Sequence, residues 1–316
     1  MNMSQHLKGY LYGCIAAVSY GVNPICAKYL YQDGYNSNSV LFYRFLFGSV
    51  MLGLLMLVQR KSFAITRREG KVLSLLGAVF AVSSLTYFLS FHYMSAGVAA
   101  TLVFAYPVFT AMLMAFFFKE RLKWPSLLAM LLTVGGIVLL YKDDSGRAIA
   151  LMGIVLILVS ALSYAIYIIV VNRSGIVMSS VKLTFYAMSS CLVCLTLYAL
   201  LTPTGELQML HTPMQWGMAL TLGLVPTVIS LVFMAMAIRC IGSTPTAIMG
   251  ALEPVTAAVL GIMLFGEVMT LRIACGIMLI LLSVIMIILD DKLRRALANV
   301  RVVRRGRLFI KKIRWR

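Results

Sequence analysis

Glu253 is an acid followed directly by proline inside the apolar run IMGALEPVTAAVLG. An ionised carboxylate at bilayer depth costs about 2.5–3.5 kcal/mol on insertion scales, so it must face a polar cavity, meet a cation or keep its proton. Pro254 removes a backbone donor, which predicts a kink that frees the carbonyl of Gly250. An acid beside unsatisfied backbone suits the binding of an amine or a proton. The plain alternative is a neutral carboxyl that only bonds neighbouring helices together.

The same reasoning picks out a polar set in otherwise apolar runs. Tyr106 precedes Pro107 as Glu253 precedes Pro254, and 147 residues separate the two pairs. Tyr20 is followed one turn later by Asn23 and Pro24, and Tyr164 shares a helix face with Tyr167 at i+3. Polar heads are unfavourable in lipid, so these faces are expected to line a cavity, with interhelical hydrogen bonds as the simpler reading. Arg44 could fork onto a substrate carboxylate, but a structural role, snorkelling outward or tying helices together, is the leading reading for it. His92 and Arg239 read as interfacial ends of spans. Glu120 and Glu267 read as turn residues that cap the next helix and pair with Arg121, Lys123 or Arg272. Cys191 and Cys194 form a CxxC within an apolar run, without a second ligand pair, and read as packing. No nucleophile–base, metal-ligand or phosphate-loop pattern is present, so neither catalytic residues nor cofactors are expected.

The elements that hold these groups follow from composition. The chain has 316 residues, 61% of them hydrophobic and only 12% charged, with a mean hydropathy of +0.95. Globular domains sit nearer half apolar and a quarter charged, which argues against a soluble protein. Apolar runs lie near Leu7–Leu30, Val40–Val58, Val72–Phe91, Val98–Phe118 and Pro125–Tyr141. A second set lies near Ile149–Val171, Leu183–Leu201, Trp216–Ile238, Thr246–Phe265 and Ile273–Leu289. They are too long and too uniformly apolar for barrel strands, so ten transmembrane helices are predicted. With both termini inside, inner segments hold 23 of the 28 basic residues and outer loops hold four, which places both termini in the cytoplasm. MNMSQHLK leads into a first span without a small-residue cleavage site, so that span is expected to be retained.

An internal repeat organises the chain. A shift of 147 residues lays Gly97–Asp144 over Thr244–Asp291 with ten identities in 48 positions, among them Pro107/Pro254, Glu120/Glu267, Asp143/Asp290 and Asp144/Asp291. A shift of 144 matches Ser19-Tyr20 with Ser163-Tyr164. The expected organisation is two five-helix repeats, residues 1–144 and 145–291, then a basic tail, 292–316. Five is odd, so the second repeat must lie inverted in the membrane relative to the first. That is the signature of a transporter with its site near the midplane, between the halves.

The duplicated stretches AYPVFTAMLMAFFFKERL and LEPVTAAVLGIMLFGEVM, with FYRFLFG in the second span, resemble a ten-span EamA-type member of the drug/metabolite transporter superfamily. The resemblance covers about Leu7 to Leu289. It implies export or exchange of small metabolites, often amino acids or related compounds, by alternating access through a central cavity. The first repeat departs from the pattern in having Tyr106 where the second has Glu253, so two symmetric carboxylates are not available. In the family the arginine at Arg44 marks the fold more than the cargo.

The functional expectation is therefore a secondary active transporter of the cell (inner) membrane. Its candidate cavity residues are Tyr20, Asn23, Tyr106, Tyr164, Tyr167 and Glu253. Glu253 is the candidate for proton coupling, and Pro24, Pro107 and Pro254 are expected helix kinks. Half of the +18 net charge lies between Asp290 and Arg316. A tail of that kind suits anionic lipid rather than nucleic acid. It leaves open a second reading, a membrane receptor or sensor whose tail signals by leaving the lipid. An intramembrane enzyme ranks last. Homo-oligomerisation stays open.

Overall fold

The computed structural model describes residues 3–119, 124–140, 151–176, 178–201, 206–241, 246, 249–250, 252–283 and 285–286. Glu120, Asp143, Asp144 and the basic tail lie outside the described residues. The expectations placed on them, lipid binding by the tail included, stand as expectations only.

Among the described residues every regular element is helical. The first predicted span is two helices, α1 (Met3–Gly21) and α2 (Asn23–Gln32), parted at Val22. α3 (Ser37–Val58) and α4 (Arg67–Ser90) are continuous. Asn36 starts α3 by accepting from the Ser39 amide at 2.7 Å, and Thr66 starts α4 in a reciprocal capping box with Glu69. The fourth span parts at Phe104 and Ala105 into α5 (Ala96–Val103) and α6 (Tyr106–Phe118). α7 (Trp124–Leu140) closes the first repeat. The second repeat runs through α8 (Leu151–Arg173) and α9 (Ser180–Leu201). Its third span is α10 (Pro213–Gly223), a π-helical turn over Leu224–Ile229, and α11 (Ser230–Ile241). α12 (Leu252–Phe265) and the short apolar helix α13 (Leu271–Ser283) follow.

Six of these units are long and apolar enough to cross a membrane: α3, α4, α5 with α6, α8, α9, and α10 through α11. Their outward faces are apolar. Phe116, Trp124, Leu131 and Met263 are more than two-thirds exposed, whereas Asn23, Arg44, Thr101, Ser160 and Thr227 are buried. That inversion of the soluble pattern is what a lipid solvent requires. The chain is an all-α, multi-pass membrane protein.

The halves pack by a pseudo-two-fold rule. α1 lies along α11, and its repeat mate α8 lies along α4, the mate of α11. α1 also meets α12 as α8 meets α6, and α4 meets α9 as α3 meets α10. Helix approach depends on small residues, as expected where no hydrophobic force drives helices together. Ala99, Ala161, Ala165, Ala257 and Ala258 are all buried. A Cβ on Gly97 of α5 would come within 2.6 Å of the Ala258 Cβ of α12. Residues of both halves share one buried core, so each half packs against the other.

Candidate functional site

The three prolines expected to kink helices sit instead at helix starts. Pro24 is in the first turn of α2 and Pro107 in the first turn of α6. Pro254 is the third residue of α12. A proline there loses no intrahelical bond, because the first amides of a helix have no partner in any case. The predicted free carbonyl of Gly250 is not free: it accepts from the Glu253 amide at 2.9 Å. The spans are broken, one residue or more ahead of each proline, and the polar residues cluster at the breaks.

Glu253 opens α12 and is only partly buried. Its backbone carbonyl faces Gly21, the last residue of α1, where a Cβ would sit 2.8 Å from that oxygen. Only glycine lets the α1 break approach the α12 start this closely. Around Glu253 lie Arg44, Tyr20, Tyr87, Tyr106 and Tyr164, all within its electrostatic reach. These five come from α3, α1, α4, α6 and α8, so both repeats contribute. The Tyr106 and Tyr164 rings meet edge-on at 4.8 Å, and Tyr164 stacks on Tyr167 at 5.9 Å. Phe80 and Phe104 extend this aromatic wall.

Arg44 is 2% exposed and lies two turns inside α3. Its Nε donates to Thr227 Oγ1 at 3.3 Å. Its guanidinium carbon stands 5.8 Å from the Tyr20 ring centre and 5.5 Å from that of Phe88. Such stacking holds a planar cation at low solvation cost. Thr227 is presented by the π turn, which forms where Pro226 denies α10 a backbone donor. Sequence reasoning gave Arg44 a structural role and passed over Tyr87 and Thr227. The signals were Pro226 in an otherwise apolar run and Arg44 itself, an intramembrane charge like Glu253.

Of the candidate residues, Tyr106 and Tyr164 meet ring to ring, and Tyr20 and Glu253 lie within electrostatic reach of both. Tyr167 joins them through Tyr164. Asn23 sits just past the α1–α2 break, fully buried, with neither amide atom hydrogen-bonded among the described residues. An orphaned buried amide costs about 1–3 kcal/mol. His92 lies apart, stacked on Tyr31 at 4.4 Å and hydrogen-bonded to Ser37 at 3.2 Å. Glu267, expected to pair within its own turn, forms an ion pair with Lys28 of α2. Cys191 is buried on α9 and Cys194 partly so. A separate apolar crevice of about 90 Å³ between α3, α9 and α11, lined by Leu52, Thr184 and Leu231, holds no charged group.

Comparison with known proteins agrees with this architecture. The EamA-like transporter family matches residues 7–142 and 151–289, one copy per half. The S-adenosylmethionine uptake transporter of Rickettsia conorii is 27% identical over 301 residues, 92% of this chain and 97% of that protein. The inner membrane transporter YicL of Salmonella typhimurium is 28% identical over 312 residues, 94% of this chain and all of that protein. A solved crystal structure superposes with a TM-score of 0.63 over 94% of this chain at 16% identity, which speaks for the fold alone. Two broken, mutually packed repeats around a polar centre, matched along nearly their whole length by one family, make this chain a member of the EamA-like transporter family.

Proposed function

We propose that the protein is a secondary active transporter of small amino-acid-like metabolites. It works by alternating access, with the solute held between Glu253 and Arg44. One observation carries the reading: a carboxylate from the second repeat and a guanidinium from the first lie within electrostatic reach of each other, walled by tyrosines from both. An ammonium would take Glu253 and a carboxylate would take Arg44, so a zwitterion replaces the mutual attraction of the pair with two complementary contacts. Asn23 supplies a buried amide that a ligand or water could satisfy. The Rickettsia relative is named for uptake of S-adenosylmethionine, which carries an amino-acid head group. That name supports the same class here.

Glu253 is the carrier for proton coupling. A proton and an ammonium would compete for its carboxylate, so protonation from one side and release to the other drives exchange. The working unit is residues 1–291, residing in the inner membrane with both termini in the cytoplasm. Net direction follows the sum of gradients, and export or exchange is the expected mode.

The test is untargeted mass spectrometry of medium from cells overproducing the protein or its Glu253→Gln variant. Solutes enriched by the wild type alone are the expected result. Equal enrichment by both would remove Glu253 from the mechanism.

A further inference from the structure

Lys28 and Glu267 join the two repeats at one end of the molecule. Lys28 lies on α2, its side chain 19% exposed, and its ammonium pairs with the Glu267 carboxylate beyond α12, which is 13% exposed. The ammonium also lies 5.6 Å from the centre of the Phe265 ring. The turn is shaped for this contact. Gly266 takes φ +64 to reverse the chain, and the Glu267 amide bonds back to the Gly261 carbonyl at 3.3 Å. The folded-back carboxylate fills the space over Gly261, where any Cβ would collide with it.

The opposite end holds a matching arrangement. Arg173, the last residue of α8, stands 4.4 Å from the centre of the Phe118 ring at the end of α6. Phe118 and Phe265 are 147 residues apart, as are Lys119 and Gly266. Lys119 takes φ +54, the left-handed turn of Gly266, although it is not glycine. The sequence then gives Glu120, the mate of Glu267, outside the described residues. Arg173 falls one residue beyond the strict 144-residue mate of Lys28, past the Val22 break that α8 lacks. Because five spans separate mates, the two arrangements lie on opposite membrane faces. Each links one repeat to the other, with the roles of the repeats exchanged.

We propose that the Lys28–Glu267 pair over Phe265 and the Arg173 contact over Phe118 are opposed latches. Each closes the cavity on its own face, and they release alternately during transport. The proposal rests on the alternating-access reading. The Lys28 cation, largely buried, must find water when it leaves its partner, so that latch opens only as its face hydrates, whereas the exposed Arg173 leaves the exposed Phe118 ring without that cost. Loss of one latch therefore shifts the population toward opening on that face and away from opening on the other.

The test uses full-length protein with its six cysteines replaced by serine or alanine and Tyr106→Cys as a reporter in the cavity. Membrane-impermeant maleimide is added to right-side-out or inverted vesicles. Lys28→Ala is expected to raise labelling from the Lys28 face about fivefold and lower it from the other, and Arg173→Ala to do the reverse. The exchanged pair Lys28→Glu with Glu267→Lys is expected to restore the parent pattern, which separates the latch from a folding defect. Labelling from each face that neither alanine variant changes would overturn the latches and leave alternating access standing. A reporter unreactive from both faces in every variant would overturn both readings.

Discussion

Ser83 and Ser230, 147 residues apart, make the same bond in the two repeats. Ser83 Oγ of α4 donates to the Ser160 carbonyl of α8 at 3.0 Å, and Ser230 Oγ of α11 donates to the Ala16 carbonyl of α1 at 2.9 Å. Each ties the third span of one repeat to the first span of the other. Both hydroxyls are buried, and Ser160 returns a second bond to the Ser83 carbonyl at 2.7 Å, which Ala16 cannot do. Such bonds average about 0.6 kcal/mol in membrane proteins. Ser230→Ala and Ser83→Ala are each expected to cost about that much in equilibrium unfolding in detergent, and Ser83→Ala combined with Ser160→Ala about twice as much.

Arg44 is held by Thr227 and by the rings of Tyr20, Phe45 and Phe88, and the Thr227 contact depends on the π turn. Thr227→Val removes the acceptor and is expected to weaken solute affinity about tenfold with folding intact, as the loss of a charged hydrogen bond predicts. Arg44→Lys is expected to lose more, because an ammonium cannot fork or stack as a guanidinium does. Equal transport constants for Thr227→Val and wild type would remove this support from the account.

Gly21 sets the distance between the α1 break and Glu253. Gly21→Val would drive two methyl groups toward the Glu253 carbonyl and Thr256, part α1 from α12 and lower transport at least tenfold. Gly34, with φ +85 and open space where a Cβ would stand, makes a fair contrast: its alanine variant strains a loop and leaves transport unchanged. Vesicle uptake of both variants checks the difference.

Much of this site was legible because a membrane makes polar residues conspicuous. Glu253, Tyr20, Tyr106 and Tyr164 stood out as scarce types at repeat-related positions, and the fold brings them together. Arg44 was equally conspicuous, yet a basic side chain can snorkel, so the sequence could not tell a cavity wall from a helix tie. Tyr87 and Thr227 carried no signal of their own, since tyrosine and threonine are common in apolar helices. The prolines marked the right places with the wrong mechanism: each starts a helix after a break, where kinking was expected. Which cation meets Glu267 was hidden for another reason. Arg272 is nearer in sequence, but Lys28 is brought there by packing between repeats.

The capping box of α4, ahead of the apolar part of that helix, can be tested through pH. Bonds from the Thr66 amide and hydroxyl hold the Glu69 carboxyl below its usual range, and nearby Lys182 adds to this. A depressed carboxyl stabilises the fold at neutral pH, and the stabilisation fades as pH falls through the folded-state value. Hydrogen-exchange protection in the first turn of α4, corrected for the intrinsic rate, is therefore expected to fall as pH drops below the usual carboxylate range. Thr66→Ala is expected to show low protection there at every pH.

Deleting Asp291–Arg316 separates transport from signalling. A transporter keeps its flux without the basic tail, whereas a sensor that works by releasing the tail from lipid loses its output. Retained flux with weaker flotation on anionic vesicles is the expected result.

The most direct test of the central claim is solute counterflow in proteoliposomes, using the cargo identified from the medium. The comparison is between wild type, Glu253→Gln and Arg44→Lys, each checked for the same thermal unfolding. Both variants are expected to exchange at less than a tenth of the wild-type rate, and only the wild type to accelerate with an imposed pH gradient. Wild-type exchange by both variants would contradict this, and the solute site would have to be sought away from the Glu253–Arg44 centre.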